Sequence, residues 1–202
     1  MRWAPLFRTA LALGVLGAAV LQGAASAQRP AETARLAVAT AVPDVTLSDQ
    51  DGHRFALKEL RGKAVLVAFI YTSCHHVCPL TFESVGAVQK RAVSEGVRDV
   101  RSVFITVDPE IDTPEVLRAY AGRRGADLAT TLFLTGSEAE LRAAWDGFGI
   151  KVKRLGRGLV DHPPLTFLVD ARGVVRYRYV GAVLDSDAVV ADLRNLLQTT
   201  AK

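Results

Sequence analysis

The chain has 202 residues, half of them hydrophobic and 23% charged, which suits one domain with a full core and a segment ahead of it. Its formal charge is +4; setting aside Arg2 and Arg8, which sit in the leader described next, leaves 23 basic against 21 acidic residues. No basic block is interleaved with aromatics, so nucleic-acid binding finds no support.

Residues 1–27 carry Arg2 and Arg8 around an uncharged apolar run and close on Ala25-Ser26-Ala27. A positive start, an apolar middle and an A-x-A end are the layout of a secretory signal peptide. The apolar run, residues 9–21, is shorter than the ~20 residues of a spanning helix. The alternative is an uncleaved N-terminal anchor. Either way the domain is exported, into a compartment where disulfides persist. Residues 28–41 are small, polar and proline-containing, and read as a flexible tether to a domain over 42–198.

Asp51-Gly52, between apolar runs at 45–48 and 54–57, predicts a hairpin near the start of that domain. His53 beside it reads as a surface residue. Residues 64–71 are almost free of polar atoms and predict a strand buried on both faces. A helix follows with Leu80, Val85, Val88 and Ala92 on one side, stopping at Gly96. Residues 100–107 predict the next buried strand. Asp112-Thr113-Pro114-Glu115 has the cap, early proline and acidic first turn of a helix start, and Asp112 is the expected cap. A short strand follows at 131–134. Ser137-Glu138-Ala139-Glu140 is a capping box opening a helix to about Phe148. Residues 165–170 and 174–180 read as an antiparallel pair, and Ser186 caps a closing helix. Alternating strands and helices, then a hairpin and a helix, make an α/β layout with a mixed central sheet flanked by helices on both faces.

The stretch A-F-I-Y-T-S-C-H-H-V-C-P-L over residues 68–80 holds the only two cysteines, Cys74 and Cys78. They follow the carboxyl end of the central strand, where such sheets place their sites. Pro79 tolerates only a first helical turn, so both thiols belong to a helix N-terminus, whose free N–H groups favour the thiolate. A four-residue helical spacing sets the Cβ atoms ~5–6 Å apart, wider than the ~3.5–4.5 Å of a relaxed disulfide. A metal with ~2.3 Å bonds to sulfur asks only that the sulfurs come within about 4 Å of each other. The pair therefore suits a metal, or a disulfide that is easily reduced. A purely structural bridge would close too small a loop to add much stability.

Two thiolates leave a metal short of ligands. His162, in Val160-Asp161-His162-Pro163-Pro164, lies in a loop at a strand end where its side chain can meet the cysteine turn. His75 and His76 sit inside the motif and can also reach a metal. Two sulfurs and one imidazole select Cu(I), or zinc if a fourth ligand joins.

Taken together, Tyr71-Thr72-Ser73-Cys74-His75-His76-Val77-Cys78-Pro79, Val107-Asp108-Pro109-Glu110-Ile111-Asp112-Thr113-Pro114-Glu115, Leu132-Phe133-Leu134-Thr135-Gly136 and Val160-Asp161-His162 resemble the Sco/SenC family. These are thioredoxin-fold copper proteins of respiratory-oxidase assembly. The resemblance spans about residues 43–197. It implies a thioredoxin-like fold and copper bound by Cys74, Cys78 and His162. It also implies delivery of copper to the dinuclear copper site of cytochrome c oxidase, by contact with its copper-receiving subunit or another periplasmic copper protein. Thiol chemistry on that site's cysteines, with Cys74 and Cys78 as a redox pair, is the alternative. Pro164 stands where redox-active thioredoxins carry a cis-proline. The acidic loop Asp108, Glu110, Asp112 is read either as local capping or as an acidic rim beside the site that meets a basic partner or supports oxidised copper, Cu(II), and Asp161 as a group that orients His162.

Overall fold

The computed structural model describes residues 34–97, 99–156 and 158–200. The expected signal peptide, and the expected tether up to residue 33, lie outside the described residues. In chain order the strands and helices are β1 (Ala34–Ala41), β2 (Thr46–Asp49), β3 (Arg54–Ala56), a 3-10 turn (Leu57–Leu60), β4 (Ala64–Ile70) and α1 (Val77–Ser94). Then come β5 (Val100–Thr106), α2 (Pro114–Arg123), β6 (Thr131–Thr135), α3 (Glu138–Phe148), β7 (Lys153–Gly156), β8 (Leu159–Asp161), β9 (Leu165–Val169), β10 (Val174–Val180) and α4 (Ser186–Thr200).

Every residue of β4, A-V-L-V-A-F-I, is buried, as its lack of polar atoms predicts. It is the middle of an eight-stranded sheet ordered β1-β10-β9-β4-β5-β6-β2-β3. β4, β5 and β6 run parallel, whereas β9, β10, β1 and the β2–β3 hairpin pair antiparallel. The sheet is therefore mixed.

Register decides which side each helix covers. Phe104 on β5 lies opposite Ala68 and Phe133, on one face. Phe82 of α1 and Tyr120 of α2 both pack there, with ring centroids 5.3 Å from Phe104 and 6.0 Å from Phe133 respectively. Tyr179 of β10 reaches the same face through Thr166 and Ala68, and its hydroxyl donates to Asp192 of α4 at 2.7 Å. Phe69 and Phe167 point the other way and hold Phe148 of α3 at 5.5 and 5.2 Å. Both faces are covered, three helices on one and α3 on the other.

Two segments depart from the sequence reading. The tether expected over 28–41 is a folded edge strand from residue 34 onward. Its side chains are almost all exposed, so it has no apolar alternation to read. What holds it is the ladder to β10 and Arg35, which lies 4.2 Å over the Tyr177 ring and 2.7 Å from Asp192. The folded domain thus includes Ala34–Ala41. The second departure is the β7–β8 hairpin, in a region read as loop. Of its residues Val160 alone is buried, so again no periodicity marks it.

Candidate metal centre

β4 ends at Ile70, and the chain turns through residues 71–76 into α1. The turn closes where the Cys74 N–H donates to the Tyr71 carbonyl at 3.2 Å. α1 opens at Val77 with His76 as its N-cap residue, but no His76 side-chain bond caps the helix. Pro79 is the third residue, where a missing N–H costs nothing. Instead of a capping oxygen there is sulfur: the Cys78 N–H points to Cys74 Sγ at 3.4 Å.

That arrangement splits the two thiols. Cys74, half-buried, is lowered to about 4, first by the Cys78 thiol donating to it and then by the N–H groups of Cys78, His76 and Val77, against the cost of burial. Cys78, 1% exposed, is pushed far up, first by sharing its proton with Cys74 and then by burial. At neutral pH the site is one half-buried thiolate leaning on one buried thiol. The two are not joined in a disulfide.

His162 is the residue directly after β8. Its Nδ1 lies 3.2 Å from the Pro163 carbonyl oxygen. A carbonyl only accepts, so Nδ1 carries the proton and Nε2 keeps its lone pair. Burial, first of all, lowers the pKa of the ring, which favours that neutral form. The ring meets Tyr71 edge-on, centroids 6.0 Å apart. Tyr71 in turn reaches both the Cys74 sulfur and the Val160 backbone, and burial raises its phenol. Tyr71 thus stands between the thiolate and the imidazole. Cys74, Cys78 and His162 are brought to one end of the sheet, yet their ligand atoms do not all gather within 4.8 Å. His75 and His76 are exposed. All described peptide bonds are trans, the one before Pro164 included.

The acidic loop is a brace. Asp112, expected as a helix cap, is fully buried, and Thr113 caps α2 by accepting from the Val116 N–H. The Asp112 carboxylate instead accepts from the N–H and hydroxyl of Thr72 and from the hydroxyl of Thr106. It ties the residue two before Cys74 to the end of β5. Asp108 is also buried, and Arg154 pairs with it at 2.9 Å and with exposed Glu110 at 3.0 Å. An acidic rim is therefore not what this loop forms; only Glu110 faces solvent. The expected role of Asp161 falls to the Pro163 carbonyl, which holds the ring nitrogen.

Tyr71, Thr72 and Ser73 lie inside the quoted motif, where their place beside Cys74 was the available signal; nothing in the sequence marked Arg154. Val77 and Leu80 on the first turns of α1, Ile111 in the loop before α2, and Leu155 and Leu159 on the β7–β8 hairpin are exposed apolar side chains on these same segments. Elsewhere, ligand atoms of Asp49, Asp51 and His53 do cluster. That group is the hairpin turn's own cap: Asp49 accepts from the Asp51 and His53 N–H groups, and Asp51 pairs with Arg118.

The sequence profile of the family described as SCO1/SenC matches residues 34–198. The chain belongs to the SCO1/SenC family. A family relative, the SCO2-like protein of Rickettsia felis, is 32% identical over 136 residues, 64% of each chain, so the match spans somewhat under two thirds of that relative's length. Among solved family structures, Bradyrhizobium japonicum ScoI with copper bound superposes with a TM-score of 0.66 at 28% identity, covering 78% of this chain and 99% of that one. BsSco, described as a Sco protein of cytochrome c oxidase assembly with a disulfide switch, superposes at 0.70 and 30% identity, covering 80% and 95%. The fold is thioredoxin-like α/β, as the motifs implied.

Proposed function

We propose that this chain is an exported copper metallochaperone that holds Cu(I) through Cys74, Cys78 and His162 and passes it to the copper-receiving subunit of cytochrome c oxidase, at the dinuclear copper site. The observation that carries the reading is the donor set. A thiolate, a thiol that becomes a second thiolate on losing its proton, and an imidazole with a free Nε2 stand at one sheet end, and such soft donors select Cu(I). Binding copper releases the Cys78 proton. Half-exposed Cys74 is the sulfur an incoming ligand can displace, while buried Cys78 retains the metal, which suits transfer by ligand exchange. Copper-bound relatives such as ScoI, and the role in oxidase assembly described for BsSco, support the assignment. Exposed Val77 and Leu80, which flank Cys78 and Pro79 at the start of α1, give a partner apolar side chains to cover during the exchange. Residues 1–27 support export to the periplasm; an anchored form with an uncleaved leader serves the same chemistry.

The second reading is a thiol–disulfide oxidoreductase. A Cys74 thiolate lowered to about 4, beside a buried Cys78, favours it: Cys74 would attack a partner disulfide and Cys78 would resolve the mixed disulfide. His162→Ala separates the two. A chaperone loses most of its copper affinity and keeps its thiol reactivity; an oxidoreductase keeps its exchange rate and needs no imidazole.

A further inference from the structure

Among the described residues, β7 and β8 pair only with each other and form a two-stranded sheet outside the main one. His162 is carried on the end of this arm. β9 of the main sheet begins at Leu165 and anchors the chain on the far side of Pro163 and Pro164; on the near side the imidazole is placed by whatever fastens the arm. The fastenings are few. The Ser73 hydroxyl donates to the Gly158 carbonyl at 3.3 Å. Tyr71 reaches the Val160 backbone. Arg154, on β7, grips Asp108 and Glu110.

Arg154 is the strongest of these. Asp108 is 1% exposed, and among the described residues its Oδ2 has no hydrogen-bond partner. A buried carboxylate needs a counter-charge, and truncating one member of such a pair is costly. Asp108 also sits just past β5, its N–H donating to Thr106 Oγ1, while Thr106 shares Asp112 with Thr72. One continuous chain of contacts thus runs from Arg154 through Asp108, Thr106, Asp112 and Thr72 to the cysteine loop. The clamp fixes the imidazole arm to the same strand ends that fix the thiols.

We infer that Arg154 is a positioning residue for His162: its ion pair with buried Asp108 sets where the imidazole stands relative to Cys74 and Cys78. The consequence for copper rests on the chaperone reading; the consequence for the ring does not. Arg154→Met keeps the apolar stem and removes the charge. Asp108→Asn with Arg154→Met removes both charges, so no buried carboxylate is left alone and the fold is protected.

The experiment is NMR on the metal-free, reduced full chain, followed by copper loading. In wild type the Tyr71 and His162 rings give a mutual contact signal. In both variants that signal weakens or disappears, Arg154→Lys restores part of it, and the alkylation rate of Cys74 stays unchanged. After Cu(I) loading, affinity falls about ten- to a hundred-fold, as for other groups that orient a ligand. An unchanged ring contact in the double variant overturns the inference, whatever copper does. If wild type takes up no copper while the ring contact still depends on Arg154, the chaperone reading fails and the positioning role stands.

Discussion

The Cys78 backbone N–H lies 3.4 Å from the Cys74 sulfur, so Cys74 caps the helix that contains Cys78. This one relationship makes the pair unequal. The N–H groups of the first turn converge on one sulfur, while the other is buried under it and keeps its proton.

Alkylation follows from that inequality. Iodoacetamide on the reduced, folded chain modifies Cys74 first, with a rate that stays near its plateau down to mildly acidic pH, because the thiol is lowered to about 4. Peptide mapping then finds Cys78 unmodified until the chain is unfolded. Equal labelling at neutral pH contradicts the account.

Stability should carry the same signature. Folding lowers Cys74 from 9.0 to about 4, so its contribution is fully present above the unfolded value and is lost as pH falls through about 4. Cys78 is raised from 9.0, so above that value ionisation in the unfolded chain works against folding. The urea midpoint of the reduced protein should rise from about pH 5 to about pH 8, and Cys74→Ser should flatten part of that slope.

Asp112 holds three donors in the interior. Asp112→Ala leaves them unsatisfied and should cost about 3 kcal/mol in urea denaturation. Its carboxyl is raised, by burial first. Asn resembles the protonated form, so Asp112→Asn should cost less, about 1–2 kcal/mol. Equal losses would mean that the ionised carboxylate, which Asn does not replace, is what the three donors need.

How much of this could be read beforehand depends on where the information sits. The apolar run of β4, the Ser137–Glu140 capping box and the Asp51-Gly52 turn are local signals, and each element stands where it was expected. The cysteine turn was legible for the same reason, since Pro79 and the spacing speak only to neighbours. β1 and the β7–β8 hairpin were not legible: both are exposed and are held by distant partners. Asp112 was misread because a cap and a buried brace look alike in sequence; Thr72 and Thr106, 40 and six residues away, decide it. His162 as a blind loop histidine carried little signal, and its place beside Tyr71 depends on a hairpin that no pattern marked.

The edge strand is testable by truncation, with a chain starting at residue 34 as the reference. One starting at 42 loses the β10 ladder and leaves buried Asp192 without Arg35, at a cost of at least about 2 kcal/mol, discounted for the half-exposed guanidinium. Equal stability would return residues 34–41 to a tether.

The most direct measurement is an anaerobic titration of the reduced full chain with Cu(I), read by chelator competition while Cys74 alkylation is followed. The account predicts uptake of one equivalent, loss of Cys74 reactivity at the same point, and weakened retention in His162→Ala. No uptake, with Cys74 alkylated at the same rate throughout, would contradict it.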